Sequence, residues 1–176
     1  MQRDYERVRH WARQMLTSGA LLLDTETTGL NGYLVQISVI DCAGVALLDS
    51  LVNPHAEIEA GVFRVHGLTR AALRGAPTYR QIHPLLDTLL RGRTVLVYNL
   101  EFDQRILRNE LRRAGQEANG VLFGAEWHDL MMPYSTFVGD RRGDGYRWQR
   151  LPGGDHTALG DCRAALDVLR RMAASE

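Results

Sequence analysis

Two acidic residues at the end of a short apolar run constrain this chain more than any other feature of its sequence. Asp24 and Glu26 come directly after residues 20–23, a run that predicts a strand buried on both faces and ending at Asp24. Side chains two positions apart on a strand point to the same face, so both carboxylates are directed at one point. No arginine occurs between residues 14 and 63. The pair therefore indicates a bound cation, and a polar strand end before a turn is the alternative.

Asp103 repeats this arrangement later in the chain. It follows a predicted strand over 94–98 and lies in the first turn of a predicted helix over 102–114. Taken alone, an acid in a first helical turn is explained by its favourable interaction with the helix dipole.

Asp161 is harder to explain without a ligand. On a predicted helix over 158–172 it shares the stripe that should face the core, at spacings of i+4, i+7 and i+11 with Ala165, Val168 and Met172. A carboxylate on such a stripe needs a partner or a metal ion.

His156 precedes Asp161 by five residues. Two side chains at that spacing on one helix diverge by about 140°. They can converge only if His156 lies in the loop before the helix, and the Pro-Gly-Gly sequence at 152–154 supplies such a loop. A single histidine in a loop is otherwise ordinary surface.

The order of predicted elements indicates a single α/β domain over residues 1–176. Residues 5–16 form a helix within an N-terminal helical extension over 1–19. Three strands joined by short turns predict an antiparallel meander, and later strands alternate with helices. We therefore expect a mixed sheet of antiparallel and parallel strands with flanking helices. The predicted strands are 20–23, 34–40, 45–52, 94–98 and 127–130, and the later helices are 82–90, 102–114 and 158–172.

Composition excludes several classes of chemistry. The 21 basic residues balance the 21 acidic ones, and all are arginine, so lysine-dependent phosphate loops, Schiff bases and Ser-Lys pairs are excluded. Two cysteines in no metal-binding spacing, a polar N-terminus and no apolar run near ~20 residues lead us to expect a cytoplasmic protein without a membrane partner.

The four acids and one loop histidine are typical of a divalent metal site with oxygen ligands. Such ligands select Mg²⁺ or Mn²⁺, whereas the sequence lacks the clustered cysteine and histidine of a zinc site. Two such ions ~3.5–4 Å apart can stabilise the attacking and leaving oxygens of phosphodiester hydrolysis.

Four motifs in order resemble those of the DEDDh 3′–5′ exonucleases, the DnaQ-like group that includes polymerase proofreading subunits. They are Asp-Thr-Glu-Thr-Thr-Gly-Leu at 24–30, His-Gly-Leu-Thr at 66–69, Asn-Leu-Glu-Phe-Asp at 99–103 and His-Thr-Ala-Leu-Gly-Asp at 156–161. The ribonuclease H-like fold that this resemblance implies agrees with the predicted order of elements.

The resemblance implies a role for each acidic residue. Asp24, Glu26 and Asp161 would bind the metal ion that carries the attacking water. Asp24 would also bridge to a second ion, which Asp103 would support. His156 would be the general base. The implied cofactors are two Mg²⁺ or Mn²⁺ ions in the active site.

The resemblance also implies six residues that hold the 3′-terminal nucleotide. Core packing is an equal alternative for the phenylalanine among them, and a structural role is an equal alternative for the histidine. The implied partner is a single-stranded 3′ end, a DNA polymerase partner is left open, and nothing indicates the oligomeric state. The six residues are Thr25, Thr27, Leu30, His66, Asn99 and Phe102.

A turn-rich segment over 139–155 departs from the family pattern. It interleaves four arginines with Tyr146 and Trp148. Such a loop could contact phosphates and bases. The favoured interpretation is a solvated loop in which Trp148 plugs the edge of the domain. On the helix over 102–114, a stripe of three arginines is typical of a solvated face; these are Arg105, Arg108 and Arg112.

The sequence thus predicts a metal-dependent 3′–5′ exonuclease that releases 5′-mononucleotides, with single-stranded DNA as the favoured substrate. An RNA-directed oligoribonuclease or RNase T-like enzyme is the alternative within the same fold. A catalytically silent nucleic-acid-binding polymerase accessory is the alternative from another class, although all five catalytic positions are present. A phosphomonoesterase with an aspartyl nucleophile is disfavoured by the absence of lysine.

Overall fold

The structure is a computed structural model that describes residues 2–116 and 122–174. Its helices are α1 Gln2–Thr17, α2 Ala60–His66, α3 Arg70–Leu73, α4 Tyr79–Leu90, α5 Leu100–Arg113, α6 Met131–Val138 and α7 Ala158–Ala174. Its strands are β1 Leu21–Thr27, β2 Leu34–Asp41, β3 Ala46–Leu51, β4 Thr94–Val97, β5 Glu126–Asp129, β6 Arg141–Arg142 and β7 Gly145–Tyr146.

Five of the strands form one mixed sheet in the order β3-β2-β1-β4-β5. The pairs β1–β2 and β2–β3 are antiparallel, and the pairs β1–β4 and β4–β5 are parallel. The predicted meander and the mixed α/β fold are therefore confirmed.

Strand β1 is longer than predicted, and the expectation that it ends at Asp24 is wrong. It continues to Thr27 because β2 stays paired with it along that length, with Asp24 opposite Ser38. On the other side, β4 pairs only with Leu21 and Leu22. Beyond that point β1 has one paired neighbour, so the sheet opens between the carboxyl ends of β1 and β4.

Two hydrophobic cores lie on opposite faces of the sheet. Alternate residues of β1 contribute to each: Leu21 and Leu23 pack with α4 and α5, whereas Leu22 packs with α1, α6 and α7. Helix α1 joins the second core through the buried side chains of Val8 and Ala12. This alternation determines which helix faces each residue at the end of β1.

Several elements were not predicted. Helices α2, α3 and α6 are short and lack a long periodic pattern of apolar residues. Leu85, within the predicted helix over 82–90, is 54% exposed because Ile82, Leu86 and Leu90 already cover the core. Across the described ranges, no helix is long and apolar enough to cross a bilayer.

Within the segment 139–155, strands β6 and β7 form a small antiparallel hairpin. Gly143 begins its two-residue turn with a φ of +60°, a conformation that glycine adopts without strain. Trp148 is 68% exposed, so the favoured interpretation that it plugs the edge of the domain is wrong. The Gly-Asp pair between the strands was a signal for this hairpin.

Candidate active site

Three carboxylates meet where the sheet opens. Asp24 and Glu26 lie on the face of β1 that contacts α7, the same face as Leu22. Asp161 lies in the first turn of α7. One carboxylate oxygen from each residue lies within 4.8 Å of the other two. The structure therefore brings together the three residues that the sequence assigned to one metal ion.

The loop before α7 holds Asp161 in position. The backbone N–H groups of Asp155 and His156 donate to Asp161 Oδ1, at 2.9 Å and 3.1 Å. Gly154 permits this approach because a Cβ there would lie 2.9 Å from the same oxygen. The Thr157 hydroxyl accepts from the backbone N–H of Gly160 and so caps the helix.

Asp103 approaches from the other face of the sheet. It is 3% exposed on α5, and the Thr25 hydroxyl donates to its Oδ1 at 2.7 Å. Asp103 lies outside the cluster of three carboxylates, and its negative charge contributes to the raised pKa of both Asp24 and Glu26. Its hydrogen bond from Thr25 links Asp103 to the strand that carries two acids of the cluster.

Burial and mutual repulsion make these carboxylates hard to ionise. Burial, followed by repulsion from Asp103 and Asp161, holds the pKa of Asp24 well above its usual range. Burial, followed by repulsion from Asp161 and Asp103, also raises the pKa of Glu26 to about 8. Burial also raises the pKa of Asp103 to about 7, against the opposing effect of its hydrogen bond from Thr25.

These acids fit a divalent cation. No arginine or histidine forms an ion pair with any of the four carboxylates in the part of the chain that the structure describes. Desolvated carboxylates without a basic partner are stabilised by a bound cation. Oxygen ligands alone, with no thiolate among them, favour a hard ion such as Mg²⁺ or Mn²⁺.

His156 lies in the loop before α7, as its spacing from Asp161 predicted. Its backbone has a φ of +61°, which is uncommon for a residue with a side chain, and the residue is exposed. Within the described residues, no hydrogen bond uses its imidazole ring. The ring is therefore available to a substrate or a water molecule beside Asp161.

Four of the six predicted nucleotide-binding residues use their polar groups within the protein. The Thr25 hydroxyl bonds to Asp103, and the Thr27 hydroxyl donates to the carbonyl of Gly29. Asn99 caps α5 by accepting from the backbone N–H of Phe102 at 3.4 Å. Through these contacts the three side chains hold Asp103, the turn after β1 and the start of α5 in place.

His66, the fourth of these residues, connects the end of α2 to the end of β1. Its Nδ1 accepts from the backbone N–H of Leu68, so its Nε2 carries the proton and donates to the carbonyl of Thr27 at 3.1 Å. Both ring nitrogens are occupied, which supports the structural alternative.

The last two predicted residues, Leu30 and Phe102, are apolar and lie next to the same arginine. Leu30 is 73% exposed, and Phe102 is half-buried against the core. Arg105 joins them: its guanidinium lies 5.3 Å from the centre of the Phe102 ring and donates to the Leu30 carbonyl at 3.2 Å. Its Nε is buried and has no hydrogen-bond partner within residues 2–116 and 122–174.

Arg105 therefore contacts two of the predicted nucleotide-binding residues, a relation that the sequence analysis missed. Its assignment to a solvated face is wrong, because the loop after β1 folds over α5 at this point. Arg113, two turns further along α5, also holds that loop, by donating to the carbonyl of Gly32 at 3.1 Å. Among the described residues, Arg108 and Arg112 bond only to neighbouring side chains of their own helix.

Gly29 and Glu59 explain how α2 packs against the same loop. The backbone N–H of Glu59 donates to the carbonyl of Thr28, and a Cβ on Gly29 would overlap the Glu59 side chain. A side chain at position 29 would have to displace the Glu59 carboxylate, and the backbone bond from Glu59 to Thr28 holds the segment before α2 against the turn that follows Glu26.

Comparison with known proteins shows the family to which this chain belongs. The exonuclease family (RNase_T) matches residues 21–169. The uncharacterized exonuclease CP81 of Escherichia phage 186 is 31% identical, and the match covers 92% of each chain. A DNA polymerase III subunit epsilon-like protein of Rhodobacter capsulatus is 28% identical over 86% of this chain but only 23% of its own length.

A solved structure of E. coli exonuclease I in complex with a dA16 oligonucleotide has the same fold. Its TM-score is 0.71 at 18% identity, with 89% of this chain and 42% of that chain covered. This chain therefore spans nearly all of the phage relative, but less than half of exonuclease I and of the epsilon-like protein.

Proposed function

The chain belongs to the exonuclease family, and from this premise we propose that it is a metal-dependent 3′–5′ exonuclease acting on single-stranded DNA. The observation that carries the proposal is the cluster of Asp24, Glu26 and Asp161, with Asp103 hydrogen-bonded to Thr25, the residue between Asp24 and Glu26. A fourth carboxylate beside a cluster of three supplies the additional ligand that a second cation requires.

In this proposal Asp24, Glu26 and Asp161 hold one divalent ion, and Asp24 with Asp103 supports a second. Bound Mg²⁺ or Mn²⁺ would stabilise the negative charge that develops on the phosphate oxygens. The protein holds these carboxylates in place beforehand, through Thr25 on Asp103 and through two backbone N–H groups on Asp161. Little rearrangement is then needed when the substrate binds.

His156 is the proposed general base. Its imidazole would take a proton from the attacking water. The water oxygen then forms a bond to the phosphorus, and the bond to the 3′ oxygen of the preceding nucleotide breaks. That oxygen takes up a proton and becomes a new 3′-hydroxyl, while the terminal residue leaves as a 5′-mononucleotide. Two observations support this role: the imidazole has no hydrogen-bond partner among the described residues, and the backbone N–H of His156 donates to Asp161.

The apolar surface of Leu30 and Phe102 supports a site for one terminal nucleotide. The exposed side chain of Leu30 and the half-buried ring of Phe102 offer a platform for a base. Leu30 lies four residues after Glu26, and Phe102 directly precedes Asp103. A base can reach this platform only when it is unpaired. We therefore expect single strands to be degraded faster than duplex ends.

The structure of exonuclease I with a dA16 oligonucleotide supports DNA as the substrate, and the epsilon-like relative supports a polymerase as a further partner. An RNA substrate is the alternative, since no described residue identifies a group that reads the 2′-hydroxyl.

The test is digestion of a 5′-labelled oligonucleotide in Mg²⁺ and in Mn²⁺, resolved over time, with single-stranded DNA, duplex DNA and RNA in parallel. We expect a ladder that shortens from the 3′ side of single-stranded DNA, and no reaction in excess EDTA. A 3′-phosphate should inhibit strongly, because it adds negative charge beside Asp24 and Glu26. Immediate release of a labelled mononucleotide, cuts in a circular strand, or full activity in EDTA would refute the proposal.

A further inference from the structure

The segment 140–150, here called the basic hairpin, contacts the carboxyl end of β4, the strand next to the one that carries Asp24 and Glu26. The Tyr98 hydroxyl donates to the carbonyl of Gln149 at 3.0 Å, and Tyr98 directly follows β4. The Tyr146 hydroxyl donates to Asp4 on α1, which anchors the other side of the hairpin. From Gln149 the chain runs on to His156, whose backbone bonds to Asp161.

The basic hairpin exposes an aromatic side chain. Trp148 is 68% exposed, whereas Trp11 and Trp127 are half-buried against the two cores. A tryptophan left in water gives up the free energy that burial would provide. Its ring is therefore available to stack on another flat group, and nucleic-acid bases are the flat groups that such rings bind in single strands.

The hairpin also carries unpaired positive charge. It contains four arginines against Asp140 and Asp144. Arg147 pairs with Asp140 at 3.0 Å. Among the described residues, Arg142 and Arg150 have no carboxylate partner. Their charge complements that of a phosphate backbone. The whole chain has a net charge of zero, so the positive charge of the hairpin is a local excess.

We propose that the basic hairpin binds single-stranded DNA on the 5′ side of the terminal nucleotide, with Trp148 stacked on a base and Arg142 and Arg150 on phosphates. This inference rests on the proposed exonuclease function, since it places the 3′ end of the same strand at the carboxylates. Trp148 lies at most ~28 Å from His156, because eight residues of chain join them, so a strand of several nucleotides with its 3′ end at the carboxylates is long enough to reach the hairpin.

Binding of 5′-labelled (dT)12, measured by fluorescence anisotropy in EDTA, tests the hairpin without turnover. Replacing Trp148→Ala should weaken the affinity roughly 5- to 150-fold, the range found when a stacking ring is removed. In the wild type, a base stacked on Trp148 should quench the fluorescence of that tryptophan. Trp148→Phe should keep most of the affinity but lose this quenching. Arg142→Gln and Arg150→Gln should each reduce the salt dependence by about 0.7 in the slope of log K against log salt.

The matched control is Leu85→Ala, which removes an exposed side chain from α4 on the opposite side of the sheet and should leave the affinity unchanged. Equal affinities for wild type and Trp148→Ala would overturn the proposal. So would an equal loss with blunt duplex DNA, or a larger loss with oligo(U) than with (dT)12. Wild-type protein that binds (dT)12 but never shortens it in Mg²⁺ or Mn²⁺ would instead refute the exonuclease function alone.

Discussion

Replacing Asp103 with asparagine should stabilise the metal-free protein at neutral and alkaline pH. The carboxyl is 3% exposed, and burial raises its pKa from 3.8 to about 7. Asparagine has nearly the same shape, and its amide oxygen can still accept from Thr25. The substitution therefore removes the cost of ionising a buried group while keeping its contact.

The sign of the effect follows from proton binding. An acid whose pKa is raised in the folded state holds its proton more tightly when folded, so stability is lost as pH rises from the unfolded to the folded pKa. A difference of about 3 pKa units, at about 1.4 kcal/mol each, is about 4 kcal/mol. That cost is complete above about pH 7 and falls below about 1 kcal/mol at pH 4.

Thermal unfolding in EDTA from pH 4 to pH 8 measures this cost. At pH 8 we expect Asp103→Asn to unfold about 10 °C above the wild type, and the difference should almost vanish at pH 4. When Mn²⁺ replaces EDTA at pH 8, the unfolding temperature of the wild type should rise more than that of the variant. The control is Asp167→Asn, whose side chain is 78% exposed and whose effect should not depend on pH in this way. If the variant is no more stable than the wild type at pH 8, then ionisation of Asp103 does not destabilise the folded protein and the reasoning is refuted.

Three further predictions concern activity. Asp161→Asn should lower turnover by orders of magnitude and weaken Mn²⁺ binding in calorimetry without unfolding the protein, whereas unchanged Mn²⁺ affinity would remove Asp161 from the ligand set. His156→Ala should slow cleavage roughly 10²- to 10⁴-fold in single-turnover assays with Mn²⁺ affinity intact, and loss of that affinity would make His156 a ligand. Arg105→Met keeps an apolar stem but loses the bond to Leu30, so it should raise KM for an oligonucleotide roughly tenfold with a smaller change in kcat. A change in kcat alone would argue against its role beside the nucleotide.

Local spacing accounts for most of what could be predicted. The two-residue period of a strand directs Asp24 and Glu26 to one face, and the structure has them there. On the helical stripe that begins with the half-buried Asp161, the other three predicted residues are buried as expected. His156 lies outside the helix, as its spacing from Asp161 required. These relations hold because periodicity is a property of the backbone itself and needs no distant partner.

By itself, then, the sequence determined the mixed fold, the exonuclease motifs and the identity of the acids that meet. Only the tertiary structure decided that β4 stops pairing with β1 after Leu22 and so opens the sheet beside Asp24. It also decided that Arg105 crosses to the Leu30 loop and that Trp148 stays exposed. Each of these depends on contacts between segments far apart in the chain, and the spacing of neighbouring residues carries no information about such contacts.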